Sequence, residues 1–390
     1  MAAPSSRPLR VLITADAMGG VWTHVESLVR AFKNGRSGPA ATASGTDRFP
    51  IDCAVAVLGP AAPPSDAASS ATYHLPCRLE WMQDPWADVR RSGAWLRDLA
   101  HQFKADVVHV NGFAHAACGF DVPVVVGAHS CVCSWWRAVH GTAAPPQWDP
   151  YRLAVKRGLG AASAVVAPSK AMLMMLETEH GALPNGEVIH NGARSHPLRA
   201  DTEPLVVSVG RFWDDAKNLR VLDAAASDVR WPIVVLGPTT GPDGRTHRPR
   251  HVRAVGPQPP RNVRRWLARA RIYAHPARYE PFGLAVLEAA QAGCALVLSD
   301  LPSLREIWGP AAVYVPSADA RAWAEALGTL IDDEARRTVL ANAARRVARR
   351  YSVSAMARRY ARVYTGLARR RDLCVVTKPA VWSLTSGAVS

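Results

Sequence analysis

No stretch of this chain approaches the roughly 18 consecutive apolar residues that a membrane-spanning helix needs, which excludes a helical integral membrane protein. The N-terminus, MAAPSSRPLRVLITADAMGG, offers only the short run VLIT before Ala15 and Asp16. That is too little for a signal-peptide core, so a cytoplasmic protein is expected. Cysteine is scarce and scattered: Cys53, Cys77, Cys118, Cys131, Cys133, Cys294 and Cys374 make an odd set without the paired spacing of a zinc site. Reduced thiols are expected, and the close pair Cys131 and Cys133 reads as an accident of a strand running into a loop. Acidic residues are missing between Ala335 and Arg371, where twelve arginines fall at helical spacings such as Arg345, Arg346, Arg349 and Arg350.

What is present is ordinary for a folded protein. The 390 residues are 48% hydrophobic and 20% charged, too long for one core and suited to two domains. The net charge of +15 points to an anionic partner, whether nucleic acid, anionic lipid or a small anionic substrate. For the arginine stretch a solvated helix face is the plain explanation. Contact with an anionic membrane or a polyanionic acceptor is the sharper one.

Short β-branched runs alternate with amphipathic ones. VLIT, DCAVAVL, VVHV, PVVVGA, AVVA and EVIH in the first half, and LVVSVG, PIVVLG, HVRAVG, RIYAHP, ALVLS and AAVYV in the second, are apolar throughout. Such strands, separated by helical patterns, predict parallel sheets covered on both faces and hence two doubly wound, Rossmann-like α/β domains facing a cleft. The first is placed at 8–195 and the second at 203–350. The polar, proline-containing RSHPLRADTEP from Arg194 divides them. A last helix, 351–371, opening on a Ser352 cap, is expected to cross back to the first domain; the tail 372–390 is left unassigned. GPAAPPSDAASSA from Gly59 and GPTTGPDGRTHRPR from Gly237 read as exposed loops.

In open α/β sheets ligands bind beyond the carboxyl ends of the strands. Gly19 and Gly20 follow the first strand and lead into a helix, either as a tight turn or as a place where amides approach a phosphate. His129 ends the fourth strand, and His109 lies inside VVHVNG. Arg211 and Lys217 straddle GRFWDDAKN, where a planar fork and a mobile point charge could meet one anion. In YEPFGLAVLE, Glu280 precedes a helix with Pro281 near its first turn, and Phe282, Gly283 and Leu284 present amides at the positive end of its dipole. Glu288 sits about two turns on. Amides for phosphate and carboxylates for hydroxyls would make a nucleotide-sugar socket.

These elements together resemble a family 4 glycosyltransferase of GT-B architecture. The resemblance is carried by Glu280 to Glu288 within EPFGLAVLEAAQAG, by GRFWDDAKN, Gly19 and Gly20, His129, APSKAM from Ala167, and the HNG of His190 to Gly192. It implies a retaining transfer of a glycosyl unit from a nucleoside diphosphate sugar to a hydroxyl of a glycan, lipid-linked or small-molecule acceptor. Arg211 and Lys217 would bind the diphosphate, Gly19 and Gly20 would close over it, Glu288 would hold the ribose, and Glu280 with the amides after Phe282 would address the sugar. His129 would lie near the reacting carbon, and Gly256 near the base. Trp22, His109, Trp135 and Trp136 are the acceptor-side candidates.

The chain departs from the family at His190, commonly Pro, at Ser130, commonly Asp, and in GPTTGPDG, where Gly-Asp-Gly-Pro is usual. It contains no Asp-x-Asp, consistent with a family that works without bound metal; no cofactor beyond the sugar nucleotide is expected. The expected partners are that nucleotide sugar and a carbohydrate or glycosylated acceptor, with peripheral contact at the inner membrane surface and no nucleic acid. The alternatives are a nucleotide-sugar epimerase of similar fold and a non-enzymatic polyanion-binding protein.

Overall fold

Runs such as Val107–Val110, Val124–Gly127 and Ile233–Leu236 are buried on both faces, as strands that alternate with helices must be. In the computed structural model these runs form two all-parallel sheets. The structure describes residues 7–17, 19–37, 50–63, 71–194, 201–242 and 244–376, with the backbone alone at 35–37 and 372–376. Parts of the expected loop after Gly59, of the linker and of the tail, namely 64–70, 195–200 and 377–390, lie outside the described residues.

The first sheet comprises β1 (Leu9–Asp16), β2 (Ile51–Leu58), β3 (Ala71–Leu75), β4 (Val107–Val110), β5 (Val124–Gly127), β6 (Ala164–Ala167) and β7 (Gly186–Val188), ordered β3-β2-β1-β4-β5-β6-β7. The second comprises β8 (Glu203–Val209), β9 (Ile233–Leu236), β10 (Arg253–Ala254), β11 (Ala270–His275), β12 (Ala295–Ser299) and β13 (Ala312–Val315), ordered β10-β9-β8-β11-β12-β13. The order reverses between β1 and β4 and again between β8 and β11, which makes the carboxyl ends there the natural ligand crevices.

Helices cover both faces: α1 (Gly20–Ser37), α2 (Trp86–Phe103), α3 (Val132–His140), α4 (Asp149–Ala161) and α5 (Lys170–His180) in the first half. The second half has α6 (Leu219–Ala226), α7 (Pro260–Arg269), α8 (Leu284–Ala292), α9 (Pro302–Trp308), α10 (Ala320–Asp332), α11 (Glu334–Ala348) and α12 (Val353–Val376). Alternation along β1 divides the first core. Leu12 packs under α2 and α4 residues, while Val11 and Ile13 pack with Leu28 and Phe32 of α1 and with Met356, Tyr360 and Tyr364 of α12. The chain therefore leaves the second sheet and buries its last long helix on the first.

The return crossing touches the outward one. The Ala193 amide donates to the Tyr351 carbonyl at 3.2 Å, and Ala193 bridges Ser352 in parallel. Gly192 makes this approach feasible, since a β-carbon there would lie 2.4 Å from the Ser352 oxygen. Ser352 Oγ accepts the Ala355 amide at 3.2 Å, the cap expected of it.

Several elements differ from expectation. β3 begins at the last residue of the stretch read as a loop from Gly59, and HVRAVG contributes only Arg253–Ala254 to a strand. The arginines of α11 are not all solvated. Arg337 is buried, donates to the carbonyls of Leu330 and Ile331 at 2.6 and 3.2 Å and sits over Trp231, while the Arg345 guanidinium fills the space beside Gly293.

Candidate functional site

The second domain supplies a charged cluster at its switch point. β11 ends in His275, and the following loop brings Glu280 back under it: Glu280 Oε2 accepts from Lys217 Nζ at 2.7 Å and lies 3.0 Å from His275 Nε2. Burial alone would raise the Glu280 carboxyl, but the Lys217 ammonium and His275 outweigh it and hold the group ionised well below the usual carboxylate range. Burial lowers His275, which keeps that ring neutral. Lys217 closes a short turn, Asp215–Lys217, capped by Asp214 through the Ala216 amide at 2.9 Å. Asn218 follows in the left-handed region (φ 54°), with its amide donating to the carbonyls of Pro276 and Ser317 at 2.9 and 2.6 Å. That tie fixes the lysine turn to the exit of β11 and explains the Lys-Asn pair. The Ser303 hydroxyl donates to the Glu280 carbonyl and steadies the same loop.

The YEPFG segment differs from its reading in one respect. α8 begins at Leu284 with Gly283 before it at φ 89°, so Pro281 precedes the first turn. The Phe282 amide leans toward Glu280 Oε1 at 3.5 Å and its ring is buried, which removes Phe282 from the free amides and leaves Gly283 and Leu284. Glu288, farther along α8, makes no hydrogen bond or ion pair among the described residues, and burial pushes its carboxyl up to about 7.

Across the crevice the glycine turn meets this cluster. Gly19 adopts φ 98°, and a β-carbon there would lie 3.7 Å from the Arg211 guanidinium. One on Gly20 would lie 3.9 Å from the Leu284 side chain. Arg211 is half exposed, stacks on Trp213 and makes a long ion pair with Asp214 at 3.8 Å, from which an anion in the gap would draw its fork. Gly256 follows β10 at φ 71°, its carbonyl accepting the Gly237 amide at 2.9 Å.

His129 follows β5, held by a partner the sequence did not single out. Asn111 donates its side-chain amide to the Thr14 carbonyl at 2.6 Å, so its oxygen must face His129 Nε2 at 2.9 Å. Nε2 therefore carries the proton and Nδ1 is left as an acceptor. Burial lowers His129 to about 4. Behind it His24 of α1 packs edge-on at 4.5 Å, and His24 in turn meets Tyr360 of α12. His109 is the correction here. It is wholly buried, bonds Tyr364 through Nδ1 at 2.7 Å and stacks on Tyr360, so it supports the cluster from beneath and offers no surface to an acceptor.

Of the tryptophans, Trp135 donates to Asp214 at 3.0 Å and so braces the lysine turn from the other domain. Trp136 packs against His140, and Trp22 is half-buried against the α1 side of the core. Further ties cross the crevice. The Cys131 amide and Ser134 hydroxyl meet the Tyr279 hydroxyl at 3.2 and 2.9 Å, and Ser169, the α5 cap, donates to the Pro281 carbonyl at 2.7 Å. Glu306 accepts the Lys170 and Ala171 amides and lies 3.3 Å from His190. APSKAM and HNG thus serve to dock one domain on the other. A surface hollow of about 490 Å³ beside Gly119, Pro123 and Ser163 opens at the amino-terminal edge of the first sheet, away from all of these residues.

Comparison with known proteins follows the same division. Residues 51–195 match the family model described as Glycosyltransferase Family 4, and residues 203–333 match that described as Glycosyl transferases group 1. Over 332 residues the chain is 26% identical to the D-inositol 3-phosphate glycosyltransferase of Xylanimonas cellulosilytica, covering 73% of this chain and 75% of that protein. It is 32% identical over 139 residues to the O-antigen chain mannosyltransferase B of Escherichia coli, a match that spans 35% of this chain and only 31% of that protein's length. Among solved structures, sucrose-phosphate synthase from Thermosynechococcus elongatus superposes with a TM-score of 0.74 at 18% identity, over 93% of this chain and 100% of that one. Anabaena HepE, in complex with UDP and glucose, does so at 0.71 and 16%, over 93% and 100%. At such identities the likeness to solved structures is one of fold, the two-domain GT-B arrangement.

Proposed function

The chain belongs to the family 4 glycosyltransferases, and from that premise we propose that it moves a sugar from a nucleoside diphosphate sugar to an acceptor hydroxyl, with retention at the anomeric carbon. The observation that carries this reading is the meeting of Gly19 and Gly20 of one domain with Arg211 and Leu284 of the other, beside the Lys217–Glu280 pair. A diphosphate placed there meets two cations and the amides that open α8. Charge develops on the departing diphosphate as the sugar becomes oxocarbenium-like, and fixed cations and dipoles that need no rearrangement lower that barrier most.

Glu280 is bound by Lys217 and His275 and is too well satisfied to act as a nucleophile, so the pair Glu280 and Glu288 does not work as in a glycosidase. The leaving phosphate takes the acceptor proton on the same face. Neutral His129, with Nδ1 as acceptor, orients a sugar hydroxyl, and Glu288 receives the ribose diol.

Thermal-shift titration with UDP-, GDP- and ADP-sugars, followed by product analysis on the best of them, tests the reading. One nucleotide class raises the melting temperature and yields transfer in the presence of an acceptor. No shift with any of the three would overturn it.

Glu288 gives a second, pH-resolved check. Its free carboxyl titrates near 7, and a ribose diol donating to it favours the ionised form, so binding releases a proton. Affinity for an intact nucleotide sugar, whose diphosphate does not titrate near neutrality, is expected to rise between pH 6 and 8. Glu288→Ala weakens binding by about 10-fold or more, in line with hydrogen bonds to a charged group, and flattens that dependence. Calorimetric titration at several pH values reads both effects; a wild-type profile as flat as the variant's would remove Glu288 from the ribose.

A further inference from the structure

One cluster lies outside the donor site. Cys131 precedes α3, Cys133 sits in its first turn, and His180 is the last residue of α5, yet one ligating atom from each falls within 4.8 Å of the other two. Cys131 Sγ is 3.3 Å from His180 Nε2. A tetrahedral zinc with bonds of about 2.3 Å to sulfur and 2.0 Å to nitrogen needs ligand-to-ligand edges of roughly 3.5 Å, so the side chains are already spaced for the ion. Both cysteines are buried and unoxidised, and the His180 Nδ1 is buried without a partner.

From this geometry we propose that Cys131, Cys133 and His180 form a zinc site with three protein ligands that holds the fold together locally. The sequence concealed it because a Cys-x-Cys alone lacks a second pair, and the third ligand comes from another helix. Two thiolates cancel the charge of a divalent ion, so the filled site is neutral in a dry interior; binding releases the protons the thiols still hold.

The consequence is mechanical. The ion would staple the start of α3 to the end of α5, and α3 carries Ser134 and Trp135, which bond Tyr279 and Asp214 of the second domain. The zinc acts through these contacts and takes no part in the donor chemistry, so the proposal stands or falls independently of the transferase reading.

Elemental analysis of the full chain, purified under reducing conditions from zinc-supplemented cells and dialysed, provides the test. About one zinc per chain is expected, and Cys133→Ser or His180→Gln should each lower the content at least ~10-fold. Should the variants fail to fold, titration of the metal-free wild type with Co²⁺ replaces them, and a thiolate-to-cobalt charge-transfer band that saturates at one equivalent supports the site. A wild type without zinc that also gives no such band overturns it. Variants that fold and keep their zinc overturn it too.

Discussion

Lys217→Ala is expected to lower kcat by about 10²–10³-fold, the usual consequence of removing one preorganised group from a site where negative charge develops. Lys217 Nζ lies 2.7 Å from Glu280 Oε2 and the residue is largely buried, so the charge is already in place before substrate arrives. Removing it also leaves Glu280 with His275 and the long Phe282 amide contact in a buried position, where the desolvation that Lys217 now offsets takes over. The turn itself should persist, because Asp214 and Asn218 hold it from both sides. Steady-state kinetics with a melting curve on the same sample separates the two effects. A folded variant with near-normal turnover would refute the role. Because the pair acts as a unit, Lys217→Ala combined with Glu280→Ala should lose little more activity than Lys217→Ala alone.

Between pH 7 and 5 the fold is expected to lose about 3–4 kcal/mol. His109, His115 and His129 are lowered by burial to about 3, 4 and 4, against about 6.5 in the unfolded chain. Below 6.5 the unfolded chain binds the additional protons, so stability falls as pH drops, by about 2 kcal/mol for each histidine at pH 5, and the loss is complete only near the folded values. His24 and His275, also lowered, act in the same direction. Glu288 opposes them: its raised folded value, about 7, lets the native state take up a proton first and returns about 2–3 kcal/mol over this interval. Glu80, raised by burial, works the same way. The carboxylates held low, Glu280 and Glu306 among them, contribute only below their unfolded value near 4.5. For a chain of this length the net change corresponds to a melting temperature lower by roughly 4 °C at pH 5 than at pH 7. Scanning calorimetry at half-unit steps would show it, and a melting temperature constant across that range would contradict the histidine burial described.

The parallel sheets were legible because each strand buried on both faces is written as an unbroken β-branched run, as in Val124–Gly127 or Ile233–Leu236. β3 was hidden by its neighbours: Ala71–Leu75 follows a proline- and serine-rich stretch and is only partly buried at the sheet edge. In α3 the roles of Ser134 and Trp135 are set by contacts with Tyr279 and Asp214 from another domain, which no local pattern announces. Arg211, Lys217, Glu280 and Glu288 stood out through spacing on one loop and one helix. Asn111, His24 and His275 did not, although His275 closes its strand as a histidine follows β5 at 129, a signal that could have marked it. His109 misled for the converse reason: strand position says which way a side chain alternates, not that α12 will return to bury it under Tyr360 and Tyr364.

That returning helix has a consequence for motion. Joined by one linker, two lobes could swivel like a ball in a socket. Here the chain passes between them twice, and the two passages touch where Ala193 pairs with Ser352. They behave as the pins of a door: rotation about that line keeps both passages intact, whereas sliding or twisting would tear one from the other. A swing about that line would carry Gly19 toward or away from Arg211, and a bulky residue at Gly192 would push the two passages apart without touching either.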